Sequence, residues 1–232
     1  MAQSDGKTPL YPPVTCGLWM GMLVLLIFFA ILIYFHVLTV GFARLGLGPN
    51  GVMLVILGSF LGSGINIPIK KYTTESTEAV KLPSFFGVQY SVPLRRRQKT
   101  VLAVNIGGCV VPVLVSLYVL IRLPAIIPYL LPTVAVCSLV IYQISRPVEG
   151  VGIATPFFAP AAISALLAIL VAPDGAAAPV AYVTGTVGTL LGADVYNLRR
   201  IVRMDAAVAS IGGAGTWDGI FLAGLLASLL AF

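Results

Sequence analysis

Charge is what this chain of 232 residues has least of. Only 9% of its residues are Asp, Glu, Lys or Arg, while 59% are hydrophobic. A soluble globular domain carries about 25% charged residues, so the shortage, together with long apolar runs, excludes one and implies a membrane protein. Histidine occurs once, as His36 in the first apolar run. Cysteine occurs three times, as Cys16, Cys109 and Cys137, widely spaced and never as CxxC. That leaves no zinc ligand set and no Ser–His nucleophile; Cys109 and Cys137 read as small residues buried in apolar runs. The Gly-rich SIGGAGT (210–216) has no lysine and no phosphate-loop spacing. No metal site and no cofactor is implied, and there is no internal repeat. The net charge of +6 sits in short loops between apolar runs, where orientation signals lie, and so does not imply nucleic-acid binding.

Seven apolar stretches are present, set against the roughly 20 residues a helical span needs. They cover about 18–40, 51–69, 101–121, 125–144, 151–172, 178–198 and 206–232. The expected fold is all-α, a polytopic membrane bundle of about seven helices, broken near its acidic residues. With a cytoplasmic N-terminus, twelve of the fourteen basic residues fall inside, and only Arg44 and Arg122 fall outside. The expected organisation is a cytoplasmic tail over 1–17, retained rather than cleaved, and helices one and two over 18–69. A basic cytoplasmic segment follows over 70–100, and helices three to seven occupy 101–232, with the C-terminus outside. Residues 70–100 read either as a solvated loop meeting anionic lipid or as a small hairpin of YTTESTEAVKL on FGVQYSVPL. Pro124, Pro128 and Pro132, then Pro156 and Pro160, recur at four-residue spacing. Interior prolines free backbone carbonyls, which either face a cavity or are tolerated as in other membrane helices.

Of the eight acids, two lie inside apolar runs: Asp194 in GTLLGADVYNL and Asp218 in GTWDGIFLAG. A buried acid costs roughly 2.5–3.5 kcal/mol in a membrane span, so uncompensated placement is selected against. Asp194 lies five residues before Arg199, roughly 8 Å from the cytoplasmic surface at 1.5 Å per residue. A helix starting at Ala206 would put Asp218 roughly 18 Å deep, too far to meet it. SIGGAG (210–215) holds three glycines within four residues, each costing about 1 kcal/mol in a helix. If this piece is unwound and the helix starts near Thr216, Asp218 falls in the first turn, suits the helix dipole and reaches the depth of Asp194. The glycines equally fit close helix packing. Asn66, Asn105, Arg146 and Asn197 fall at the same cytoplasmic level. With Gly192, Gly212, Gly213, Gly215 and Trp217 they are the candidates for lining a polar cavity around the acids. Each Asn also fits a helix cap or an interhelical hydrogen bond.

The runs NIGG (105–108), RPVEGVGI (146–153), GTLLGAD (188–194) and SIGGAGTWDGIFL (210–222) resemble a family of uncharacterised prokaryotic multi-pass membrane proteins, a domain of unknown function. The resemblance implies a prokaryotic plasma membrane and supplies no activity. Gly215-Thr216-Trp217-Asp218, with Trp217 where the pattern has its second glycine, partly resembles the Gly-x-Gly-Asp motif of presenilin-type intramembrane aspartyl proteases. Gly192-Ala193-Asp194 is similar to the Gly-Ala-Asp of preflagellin peptidases. That likeness implies Asp194 and Asp218 as a catalytic pair. Two close carboxylates share one proton, leaving an acid and a base that activate water. Two other readings stand beside this one. An ion- or proton-coupled carrier would use the same acids for a small ion. A purely structural role would pair them with Arg146 or Arg203. The partners expected are the bilayer and either a membrane peptide or a small ion; no oligomeric state follows.

Overall fold

A computed structural model describes residues 13–81, 91–148, 152–201, 208–213 and 218–232. The chain forms two units, residues 1–39 and 40–232. In the first, helix α1 (Pro13–Ala43) begins. Its side chains from Trp19 to Phe35 are apolar on every face and largely exposed, as a helix standing in lipid requires.

The helices that form in the second unit are α2 (Pro49–Gly62), α3 (Val111–Arg122), α4 (Ile127–Ile144), α5 (Ala159–Val171), α6 (Ala177–Thr189), a short α7 (Leu198–Ile201) and α8 (Gly219–Leu230). The protein is mostly helical. Trp19–Ala43 and Pro124–Ile144 are long and apolar enough to cross a membrane, while Pro49–Gly62, Ile106–Arg122, Ala159–Val171 and Gly219–Leu230 are shorter apolar helices. Small residues let α4, α5, α6 and α8 approach closely. A Cβ on Gly185 would lie 2.8 Å from the Ala223 carbonyl oxygen, and one on Gly188 would lie 2.8 Å from the Cys137 sulfur. Close backbone approach of this kind is how helices associate where lipid supplies no hydrophobic drive. Phe42, Tyr182 and Phe221 are buried and pack edge to face at 5.9–6.1 Å.

The all-α expectation is corrected by five strands among the described residues. β1 (Asn66–Lys81) and β2 (Ser91–Asn105) form an antiparallel hairpin with Asn66 opposite Asn105, longer at its base than the small hairpin read from 72–94. The hairpin takes residues from both flanking apolar stretches. α2 stops at Gly62, where Ser63 and Gly64 follow, and VLAVN (101–105) enters a strand rather than a helix. Its β-branched valines suit that state once both edges are paired. One edge is β1. On the other lies β5 (Val208–Ile211), parallel to β2 with Val101 beside Val208 and Val104 beside Ile211. The β1–β2 ladder shifts register between Pro68 and Lys70, where proline offers no N–H. A second small sheet pairs β3 (Arg146–Val148) with β4 (Gly152–Ala154).

Residues 208–211 are thus extended, Gly212 and Gly213 form a turn, and α8 begins only at Gly219. Of the prolines, Pro132 lies inside α4; Pro128 and Pro160 sit in the first turns of α4 and α5, where the missing N–H costs nothing.

Candidate functional site: an acid-lined cavity

Asp194 is placed by an irregularity in its helix. After Thr189 the backbone changes to a π-turn over Leu190–Val195, marked by Tyr196 N–H donating to Leu191 C=O, five residues back, at 2.9 Å. Five residues along an α-helix rotate a side chain roughly 140° off the starting face. The wider π-turn winds less per residue, and Thr189, Ala193 and Asp194 all line one cavity. Such a turn leaves carbonyls without helical partners. Asn197, fully buried, donates its amide to the Gly192 and Ala193 carbonyls at 3.1 and 3.0 Å, and its own oxygen accepts from Arg200. Gly192 is buried against α4, where a Cβ would overlap the Ser138 carbonyl oxygen.

Asp218 is placed by a helix start. It is the N-cap of α8, in extended backbone, and its carboxylate accepts from Ile220 N–H at 2.9 Å. That bond satisfies one of the orphan donors of the first turn, and the helix dipole favours the negative charge there.

The two acids face one cavity of about 230 Å³. Asp194 and Asp218 line it together with Thr189, Ala193, the first turn of α8, residues 153–157 and Pro160. The carboxylates lie close enough for their charges to interact, and Cys109 lies within the field of both. The Asp194 carboxylate also accepts from Gly212 N–H. Gly212 has φ +71°, and a Cβ there would lie 2.7 Å from Cys109 N and Gly108 C. Only glycine meets both demands, so SIGG seats on NIGG and delivers a donor to Asp194. Among the described residues Asp194 makes no ion pair, and Arg146 starts β3 on an exposed edge.

Asn66 and Asn105 do not line the cavity. Asn105 donates to the Ser63 carbonyl at 2.7 Å and to the Asn66 side-chain oxygen at 3.1 Å, and it accepts from Gly108 N–H. The Asn66 oxygen also accepts from Ser210. These residues lock the base of the hairpin to β5 and the NIGG turn. Gly107 belongs to the same lock, since a Cβ there would overlap the Ser59 carbonyl oxygen of α2. Gly213 is exposed at the turn. Gly215, Trp217, Glu149 and Arg203 lie outside the described residues. Thr155, Phe157, Pro160 and Thr189, all in the walls, were not among the sequence candidates; the spaced prolines 156 and 160 were their one sequence signal.

A mostly helical protein with two membrane-length helices and an acid-lined cavity is thereby defined. A family model for a protein of unknown function, DUF1614, matches residues 60–230, and the chain belongs to that family. The match covers the hairpin, both acids and the whole cavity. No curated protein and no solved structure matches the chain.

Proposed function

We propose that the protein is an intramembrane aspartyl peptidase-like enzyme in a prokaryotic plasma membrane, with Asp194 and Asp218 as its acid/base pair. The observation that carries the reading is that two acids from separate apolar helices line one cavity. In the proposed reaction, one carboxylate takes a proton from water as its oxygen bonds to the substrate's carbonyl carbon. The other, protonated, gives its proton to the carbonyl oxygen. When the C–N bond of the tetrahedral intermediate breaks, a proton passes to the leaving amine, and the pair is restored. Burial in a low-dielectric cavity strengthens each of these interactions.

The membrane arrangement in this reading is seven spans, N-terminus inside. The two arginines assigned outside fall at one end: Arg44 donates to the Ser228 and Leu229 carbonyls ending α8, while Arg122 stacks on Tyr118, whose hydroxyl donates to the Gly46 carbonyl. Arg200 stacks on Tyr142 near the opposite, C-terminal end of α4, beside the π-turn that carries Asp194. The cavity would therefore open toward the cytoplasm.

The test is full-length protein in lipid nanodiscs, incubated with a panel of single-span peptides, with products read by mass spectrometry. Cleavage that falls by about 100-fold or more in both Asp194→Asn and Asp218→Asn supports the reading. Absence of cleavage, with cation or proton flux in vesicles that both variants abolish, would replace it with an ion carrier.

A further inference from the structure

Among the described residues, Thr189 carries the cavity-lining hydroxyl that has no protein partner. It is 2% exposed, and its Oγ1 has no hydrogen bond among the described residues. The other threonine in the wall, Thr155, is engaged with Ser145 at 2.8 Å. Hydroxyls on membrane helices ordinarily turn back onto their own backbone. Ser116, Thr133, Ser138, Ser164 and Ser228 do this here, each donating to a carbonyl three or four residues earlier. Thr189 does not, although it ends the 13-residue helix α6 and has backbone carbonyls three and four residues behind it. Thr189 lines the cavity that Asp194 and Asp218 line, and the π-turn that follows it brings Asp194 to the same cavity.

An unsatisfied buried hydroxyl is costly to keep unless a ligand completes it. The ligand chemistry is set by its neighbours. The carboxylates are acceptors, or one acceptor and one donor when they share a proton, and a threonine hydroxyl both donates and accepts. A small molecule with two donors and two acceptors satisfies all three, and about 230 Å³ is ample for one water with the two to four polar partners it needs. We propose that Thr189 is a positioning residue that holds a water molecule between Asp194 and Asp218. This rests on the peptidase reading for its purpose, since that water would be the nucleophile. Thr189 fixes the oxygen while the carboxylates exchange its proton.

Two measurements test it. The first is a structure of the full chain, crystallised from a lipid phase at a resolution that shows waters, for wild type and Thr189→Val. A water within hydrogen-bond distance of Thr189 Oγ1 and both carboxylates, displaced in the valine variant, supports the proposal. A wild-type cavity with no water on Thr189 overturns it, whatever the protein cleaves. The second is cleavage kinetics with a peptide from the panel above. Thr189→Val lowers kcat by about 100-fold, as a misplaced reacting group does, with KM little changed, and Thr189→Ser restores most of the rate. An unchanged kcat in the valine variant, or a serine variant as slow as valine, overturns the positioning role. Thr189→Val changes the shape of the side chain little, so a cooperative melt within a few degrees of wild type separates this loss from misfolding. A bound water on Thr189 in a protein that cleaves nothing leaves the water site standing and removes the peptidase reading.

Discussion

The charge and the capping role of Asp218 can be separated. Asparagine is as good an N-cap as aspartate, so Asp218→Asn keeps the bond to Ile220 N–H while removing the charge. It is expected to melt within a degree or two of wild type, whereas Asp218→Ala loses about 1 kcal/mol; thermal unfolding in detergent distinguishes them. Asn197 was read from sequence as a cavity candidate, and the structure assigns it to the carbonyls of the π-turn instead. Asn197→Ala strands two buried carbonyls and is expected to destabilise the protein by roughly 1–3 kcal/mol, read by the same melts. The identity of the two acids was legible because a carboxylate in an apolar run is conspicuous by its cost. Thr189 was not, because a threonine in a membrane helix carries no such cost when it bonds its own helix, and only the packed structure shows that it does not.

At the scale of elements, the glycine-rich segments act as seats. NIGG receives SIGG, and the parallel β2–β5 pairing holds them in register. Adjacent strands lie about 4.8 Å apart, within the Cα range of a disulfide. Ala103→Cys with Ser210→Cys, in a chain whose native cysteines are replaced, is therefore expected to cross-link efficiently on oxidation in native membranes. A gel shift reversed by reductant checks it. Gly107→Ala drives a methyl into the α2 backbone and is expected to cost about 1–3 kcal/mol, measured as a lowered Tm. That the stretch 208–213 is not helical could be read from the glycine-rich run that begins in it. Its partner strand could not, because parallel pairing of residues about a hundred positions apart leaves no periodicity in either segment.

For the whole molecule, the proposed seven-span arrangement puts Arg44, bonded to the end of α8, and Arg122, stacked on Tyr118, at the outer end. In the seven-span arrangement, a cysteine at Asp174, in the α5–α6 connection, is expected to react with a membrane-impermeant maleimide in intact cells. A cysteine at Lys71, in β1, is expected to react only after permeabilisation. Reversed accessibility would overturn the orientation and, with it, a cavity open to the cytoplasm.

Composition alone pointed to a membrane, as the two apolar helices of membrane length also do, and to polar chemistry carried by a few residues, since burying charge in lipid is costly. Spacing alone located the acids and the glycines between them. That both acids line one cavity was decided by tertiary structure, through the π-turn that carries Asp194 and a helix α8 that begins only at Gly219. So was the replacement of helix by hairpin at 66–105. Both depend on hydrogen bonds between residues distant in the chain, and local propensity does not record them.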